Sequence, residues 1–191
     1  MIKYFFILAI AGIISCNNTN TAPEVQTQPA AEKPKFFPVT SYLKGQVYDI
    51  NQKGLTPIKY TTINNHTDSE MVKLDKLSGM LTAFLQPEID STNLVDLFKE
   101  SKFLDQTINA FTFSYDPKTK LPDSVTLLHW DVYVDPESGK VKRIYMVKKD
   151  AGNKSLQLTW QSNEWCKTVT IATDAGGNTT VEKEEKISWD Y

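Results

Sequence analysis

Apolar side chains recur at helical spacing early in the chain and at alternate positions later, and the change falls near residue 107. Val39, Leu43, Val47 and Ile50 mark one face of a helix. Pro38 suits its first turn, and Gly54 suits its C-terminal stop. Gly45 weakens that helix by about 1 kcal/mol relative to alanine. Residues 57–63 read as a short strand at a sheet edge, where Pro57 is tolerated. Thr67-Asp68-Ser69-Glu70 fits a capping box, which predicts a second helix with the stripe Met71, Leu74, Leu77, Leu81, Phe84 and Leu85. Gln86-Pro87 ends it, because the residue before proline disfavours helix. A third, shorter helix is expected from Ser91-Thr92, using Leu94, Leu97 and Phe98.

From Thr107 onward six β-like runs follow, separated by clusters of Asp, Pro, Gly and Asn such as Asp135-Pro136-Glu137-Ser138-Gly139 and Asp174-Ala175-Gly176-Gly177-Asn178. Tight turns at close spacing predict hairpins, hence an antiparallel meander. Leu156, Leu158 and Trp160 share one face of their strand. Trp165, Val169 and Ile171 share one face of the next, and they are expected to point into the core. The run over residues 125–134 is apolar on both sides, which predicts a central strand covered twice. Lys183 and Glu185 interrupt the last run, which predicts a place at the sheet edge. The fold class expected is α+β: N-terminal helices packed on a curved antiparallel β-meander of about six to seven strands, in one domain over residues 36–191.

The N-terminus has another character. A lysine at position 3 precedes an apolar run over residues 4–14, then Ser15-Cys16. This is the layout of a secretory signal. The run is shorter than the roughly 20 apolar residues that a membrane-spanning helix needs. Ile13-Ile14-Ser15-Cys16 resembles the lipobox of bacterial lipoproteins. The resemblance implies that residues 1–15 are a signal peptide and that Cys16 becomes the lipid-bearing first residue. It implies a diacylglyceryl thioether on Cys16 and usually an acyl chain such as palmitate on its amine. Two or more chains hold firmly, at about 0.8 kcal/mol per buried CH₂. A type I secretory signal with a chance cysteine is the alternative. Asn17 stands where some bacteria place an inner-membrane retention aspartate, so the resemblance favours the outer membrane, facing the periplasm. Residues 16–35 are rich in Thr, Ala, Gln, Pro and Asn and poor in large apolar side chains. They read as a flexible tether, with a reach of roughly 25 Å.

The formal charge of −2 becomes −3 when Lys3 leaves with the signal peptide. Neither value draws the protein to nucleic acid. After Cys16 only Cys166 remains, so no internal disulfide forms, and a buried inert thiol is the expected state. Two histidines without H-E-x-x-H or C-x-x-C spacing argue against a structural zinc site. No phosphate-binding glycine loop, dinucleotide fingerprint or nucleophile elbow is present, and no cofactor is expected.

Three constellations carry candidate chemistry. His129, Asp131 and Tyr133 share one strand face at i, i+2 and i+4. A carboxylate beside an imidazole fixes its tautomer and raises its basicity. Arg143 and Tyr145 on the next strand join them if the hairpin register is favourable. The plainer reading is a half-exposed face with cross-strand polar pairs. Trp160 and Trp165 flank a turn and would face each other, either stacking on a ligand or bracing the hairpin. His66 lies before the expected second helix, whose N-terminus disfavours imidazolium; a solvated loop histidine is the plainer reading.

The function expected is that of a non-enzymatic, membrane-anchored binding protein or accessory subunit of an envelope complex. Its partners are the membrane, through lipid on Cys16, and an envelope protein. The alternatives are a carrier or sensor of an apolar ligand held between sheet and helices, and a hydrolase using His129 and Asp131.

Overall fold

A computed structural model describes residues 35–189. Cys16, the signal segment and the tether up to residue 34 lie outside the described residues. The first helix, α1 (Val39–Gln52), buries Val39, Leu43, Val47 and Ile50, the stripe read from spacing. Gly54 follows it at a φ of 61°, a left-handed stop that glycine adopts without strain.

The next segment departs from expectation. β1 (Ile58–Ile63) is followed by β2 (His66–Met71), so Thr67-Asp68-Ser69-Glu70 is strand and not a capping box. The reason is the turn. Asn64 and Asn65 take φ values of 50° and 64° and close a two-residue hairpin with Ile63 opposite His66. Successive left-handed residues are what a type I′ turn needs, and asparagine tolerates them. The leucine stripe then divides into α2 (Leu74–Met80) and α3 (Thr82–Leu85), with Leu81 leaving the helical region at φ −92° and ψ 6°. Gln86 is extended before Pro87, as the steric rule requires.

The third helix does not form either, and residues 91–97 make turns. Asp90 Oδ1 accepts the backbone N–H groups of Thr92 and Asn93 at 2.6 and 2.7 Å. Beyond this capped turn the donors reach three residues back, Val95 to Thr92 and Leu97 to Leu94, and the turns end where Phe98 enters the sheet opposite Pro117. Phe98 opens a strand instead, β3 (Phe98–Asp105), whose alternating charges hid it in the sequence.

The six runs expected after Thr107 are six strands: β4 (Ala110–Pro117), β5 (Leu127–Val134), β6 (Val141–Lys149), β7 (Lys154–Gln161), β8 (Trp165–Thr173) and β9 (Thr179–Ser188). The described residues form one open antiparallel sheet of nine strands with few helices, in the order β2-β1-β9-β8-β7-β6-β5-β4-β3. The count exceeds the six to seven expected because β2 and β3 were unforeseen. β1 and β9 pair with each other, so neither lies at an edge. The charges of β9 are accommodated inside the sheet by ion pairs, Lys59–Glu185 at 3.1 Å and Lys183–Glu185 at 2.9 Å.

One core cluster joins side chains of α1, α2 and α3 to Trp130, Ile144, Met146, Leu158 and Trp160 of the sheet. Tyr115 stacks on Trp130 with ring centroids 4.5 Å apart, and Phe36 and Phe98 meet the same pair edge-on. The face of the sheet in this cluster is the inner face; the opposite one is the outer face. β5 is not covered twice. Trp130 and Val132 are fully buried on its inner face, whereas His129 and Tyr133 on its outer face stay half-buried.

Candidate functional site

Leu127 points into the core, and by strict alternation His129 would follow it. A bulge between them prevents this: Leu127 pairs with Lys148, while His129 pairs with Val147 on the outer face. Bulges re-aim side chains in this way. Across the ladders, Ser114 lies opposite Asp131, and Asp131 lies opposite Tyr145. The outer face of β4, β5 and β6 thereby collects one polar cluster.

His129 lies between two carboxylates. Its Nδ1 is 3.0 Å from Asp116 and its Nε2 is 3.1 Å from Asp131. Asp131, only 8% exposed, also accepts the Ser114 hydroxyl at 2.5 Å and the Tyr133 hydroxyl at 3.0 Å. Two ring nitrogens can both donate only in the imidazolium form. The bond to Asp131 accordingly raises the His129 pKa above its ordinary value, against the opposing effect of burial, and Asp116 adds to it. Burial pushes the Asp131 carboxyl up, but the bonds from His129, Ser114 and Tyr133 outweigh it, and the net direction is down. Burial, with the charge and bond of Asp131, pushes the Tyr133 phenol up to about 12.

The β5–β6 register brings the neighbouring strand's side chains to the same face. Arg143 lies opposite Tyr133, with its guanidinium carbon 5.9 Å from the ring centroid. The Tyr145 ring lies 6.5 Å from that of His129. His129, Asp131, Tyr133, Arg143 and Tyr145 thus come together. Ser114 and Asp116 were missed, although the alternation Thr112, Ser114, Asp116 along β4 carried the signal.

The tryptophans do not come together. The β7–β8 loop has three residues, Ser162-Asn163-Glu164, so Gln161 pairs with Trp165 and Trp160 with Cys166. A shift of one residue exchanges the faces. Trp160 lies in the core at 0% exposure, against Phe84 and Trp189. Trp165 lies on the outer face, where the Lys186 ammonium sits 5.2 Å from its ring centroid. Cys166 and not Trp165 therefore takes the inward position on β8, and burial pushes its thiol pKa up, which makes it a poor nucleophile. His66 is exposed in β2, 3.3 Å from Asp68, and stands at no helix N-terminus.

Lys148 is a further residue that the sequence did not single out. It points inward from β6, and its ammonium donates to the carbonyls of Ala83 and Gln86 at the end of α3. Those carbonyls carry the negative end of the short helix and lack intrahelical donors. Burial lowers the Lys148 pKa to about 8. The space between α2–α3 and β8–β9 measures about 120 Å³ and is lined in part by Lys59 and Glu185. Pockets that enclose a drug-sized apolar ligand run to roughly 300–1,000 Å³.

Chemically, the His129 cluster pairs one imidazole with two carboxylates. Ser114 donates to Asp131 and not to the imidazole. The serine–histidine–carboxylate relay needs the hydroxyl on the imidazole. Among the described residues no group of three or more His, Cys, Asp or Glu side chains is arranged to hold a metal ion, and no helix is long and apolar enough to cross a membrane. No family model, no curated protein and no solved structure matches the chain.

Proposed function

We propose that the chain is a lipid-anchored lipoprotein of the outer membrane, facing the periplasm, that works by binding as an accessory subunit of an envelope complex. The anchor rests on Ile13-Ile14-Ser15-Cys16 and on the polar segment that follows. In this reading the helices cover one face of a curved sheet and leave the other face for a partner. The observation that carries binding over catalysis is the His129 imidazole. Both of its nitrogens are engaged by carboxylates, so neither is free to face a substrate.

Substituting Cys16→Ser tests the anchor. The expected result is loss of lipid labelling and release of the protein from the membrane fraction. Unchanged membrane association would overturn the lipoprotein assignment.

A further inference from the structure

At the end of the sheet where β4 begins, the outer face holds an open groove of about 300 Å³ lined by Ile108, Ala110, Tyr133, Lys142, Arg143 and Gln161. Two of these six side chains are cationic, in a chain whose formal charge is −2. Each cation is held by neutral groups. The Arg143 Nε donates to Gln161 Oε1 at 3.1 Å, and its guanidinium lies near the Tyr133 ring. The Lys142 ammonium donates to the Ile108 carbonyl at 3.3 Å. Neither forms an ion pair with a carboxylate among the described residues. Asp135 senses Lys142 electrostatically, but its Oδ1 is taken by Ser138 and Glu137.

The acidic groups nearby are also committed. Asp131 and Asp116 are both engaged by the His129 ring, and the Tyr133 hydroxyl donates to Asp131. The terminal nitrogens of Arg143 thus have a fixed fork and no anion. A guanidinium oriented through its Nε and backed by an aromatic ring is arranged for bidentate pairing with an oxyanion. Ile108 and Ala110 supply an apolar floor beside the two charges.

We propose that this groove binds a small oxyanion-bearing ligand, a carboxylate or a phosphate ester, with its anion on Arg143 and Lys142 and a short apolar part over Ile108 and Ala110. The assignment rests on the binding reading above and names the chemical class of its ligand. It does not depend on the anchor, because the groove is lined by residues from Ile108 to Gln161, far along the chain from Cys16.

The test uses residues 17–191, which keep every described residue. Benzoate, phenyl phosphate and neutral benzyl alcohol are titrated while backbone amide resonances are followed. The expected result is saturable binding of an anionic probe, shifting residues 108–110 and 142–143, with benzyl alcohol at least about tenfold weaker. Arg143→Gln should weaken the anion by at least about tenfold. Lys142→Gln, which keeps the fork, should weaken it less. Equal binding of benzyl alcohol, or anion binding that Arg143→Gln leaves unchanged, would overturn the proposal. Phosphatidylcholine vesicles with and without phosphatidylglycerol separate the sources. Arg143-dependent binding to the anionic vesicles assigns the oxyanion to a lipid headgroup. Benzoate binding without vesicle binding assigns it to a soluble ligand. Failure of both the soluble probes and the vesicles overturns the site.

Discussion

An imidazole that donates to two carboxylates must carry two protons, so the His129 cluster ties a charge state to a sheet surface. The sign of its pH dependence follows from the shifts. The pKa of His129 is raised in the folded protein, so its contribution is fully present below the unfolded value and is lost as pH rises through the folded one. The pKa of Asp131 is lowered, so its contribution is present above the unfolded value and is lost as pH falls through the folded one. The cluster stabilises most between these limits. Raising the pH from roughly 6 to roughly 9 should therefore lower the unfolding free energy of the wild type relative to His129→Gln. Lys148 titrates in the same range with the opposite sign, since its folded pKa is depressed to about 8, and the comparison with His129→Gln cancels it. Urea titrations of both proteins at the two pH values measure the difference. A constant gap would show that the imidazole does not titrate with folding.

At the scale of elements, short polar loops decide more than long apolar stripes. Asn64 and Asn65 turn a segment with a good capping box into a hairpin. A left-handed residue costs roughly 1–2 kcal/mol when it has an ordinary side chain. Asn65→Ala should therefore reduce the hydrogen-exchange protection of β2 amides by about fivefold or more, while Asn65→Gly should keep or raise it. Unchanged protection in the alanine variant would count against the turn geometry. The β7–β8 loop makes the same point, because one residue fewer in the loop sends Trp165 outward and Cys166 inward. Both loops escape a reading by hydrophobic period, which is blind to register.

At the scale of the molecule, the sheet has two open edges, β2 and β3, and both carry charge. Charged edges discourage pairing with other chains. Every β2 side chain is exposed, whereas β6, β7 and β8 lie inside the sheet and bury Ile144, Met146, Leu158, Trp160 and Cys166. Local opening follows such differences in burial. Amide exchange should be fastest in β2 and slowest in β6–β8. Protection of β2 equal to that of β7 would mean that its edge is covered in solution.

The chain's own order of residues determined the first helix, the six late strands and their turns, because those patterns are local: 3.6-residue spacing, alternation, and Asp, Pro, Gly and Asn where the backbone must reverse. It also placed His129, Asp131 and Tyr133 on one strand face, while whether Arg143 and Tyr145 join them depended on the hairpin register. Only the tertiary structure decided the rest. β9 became interior when β1, distant in sequence, paired with it and supplied Lys59 to Glu185. His129 faced outward when a bulge broke the alternation of β5. Asp116 and Ser114 entered the cluster through the register of β4 on β5. Each of these depends on which strand lies beside which and at what offset. Such pairings are set by the summed burial and hydrogen bonding of the whole sheet, and no single segment carries them.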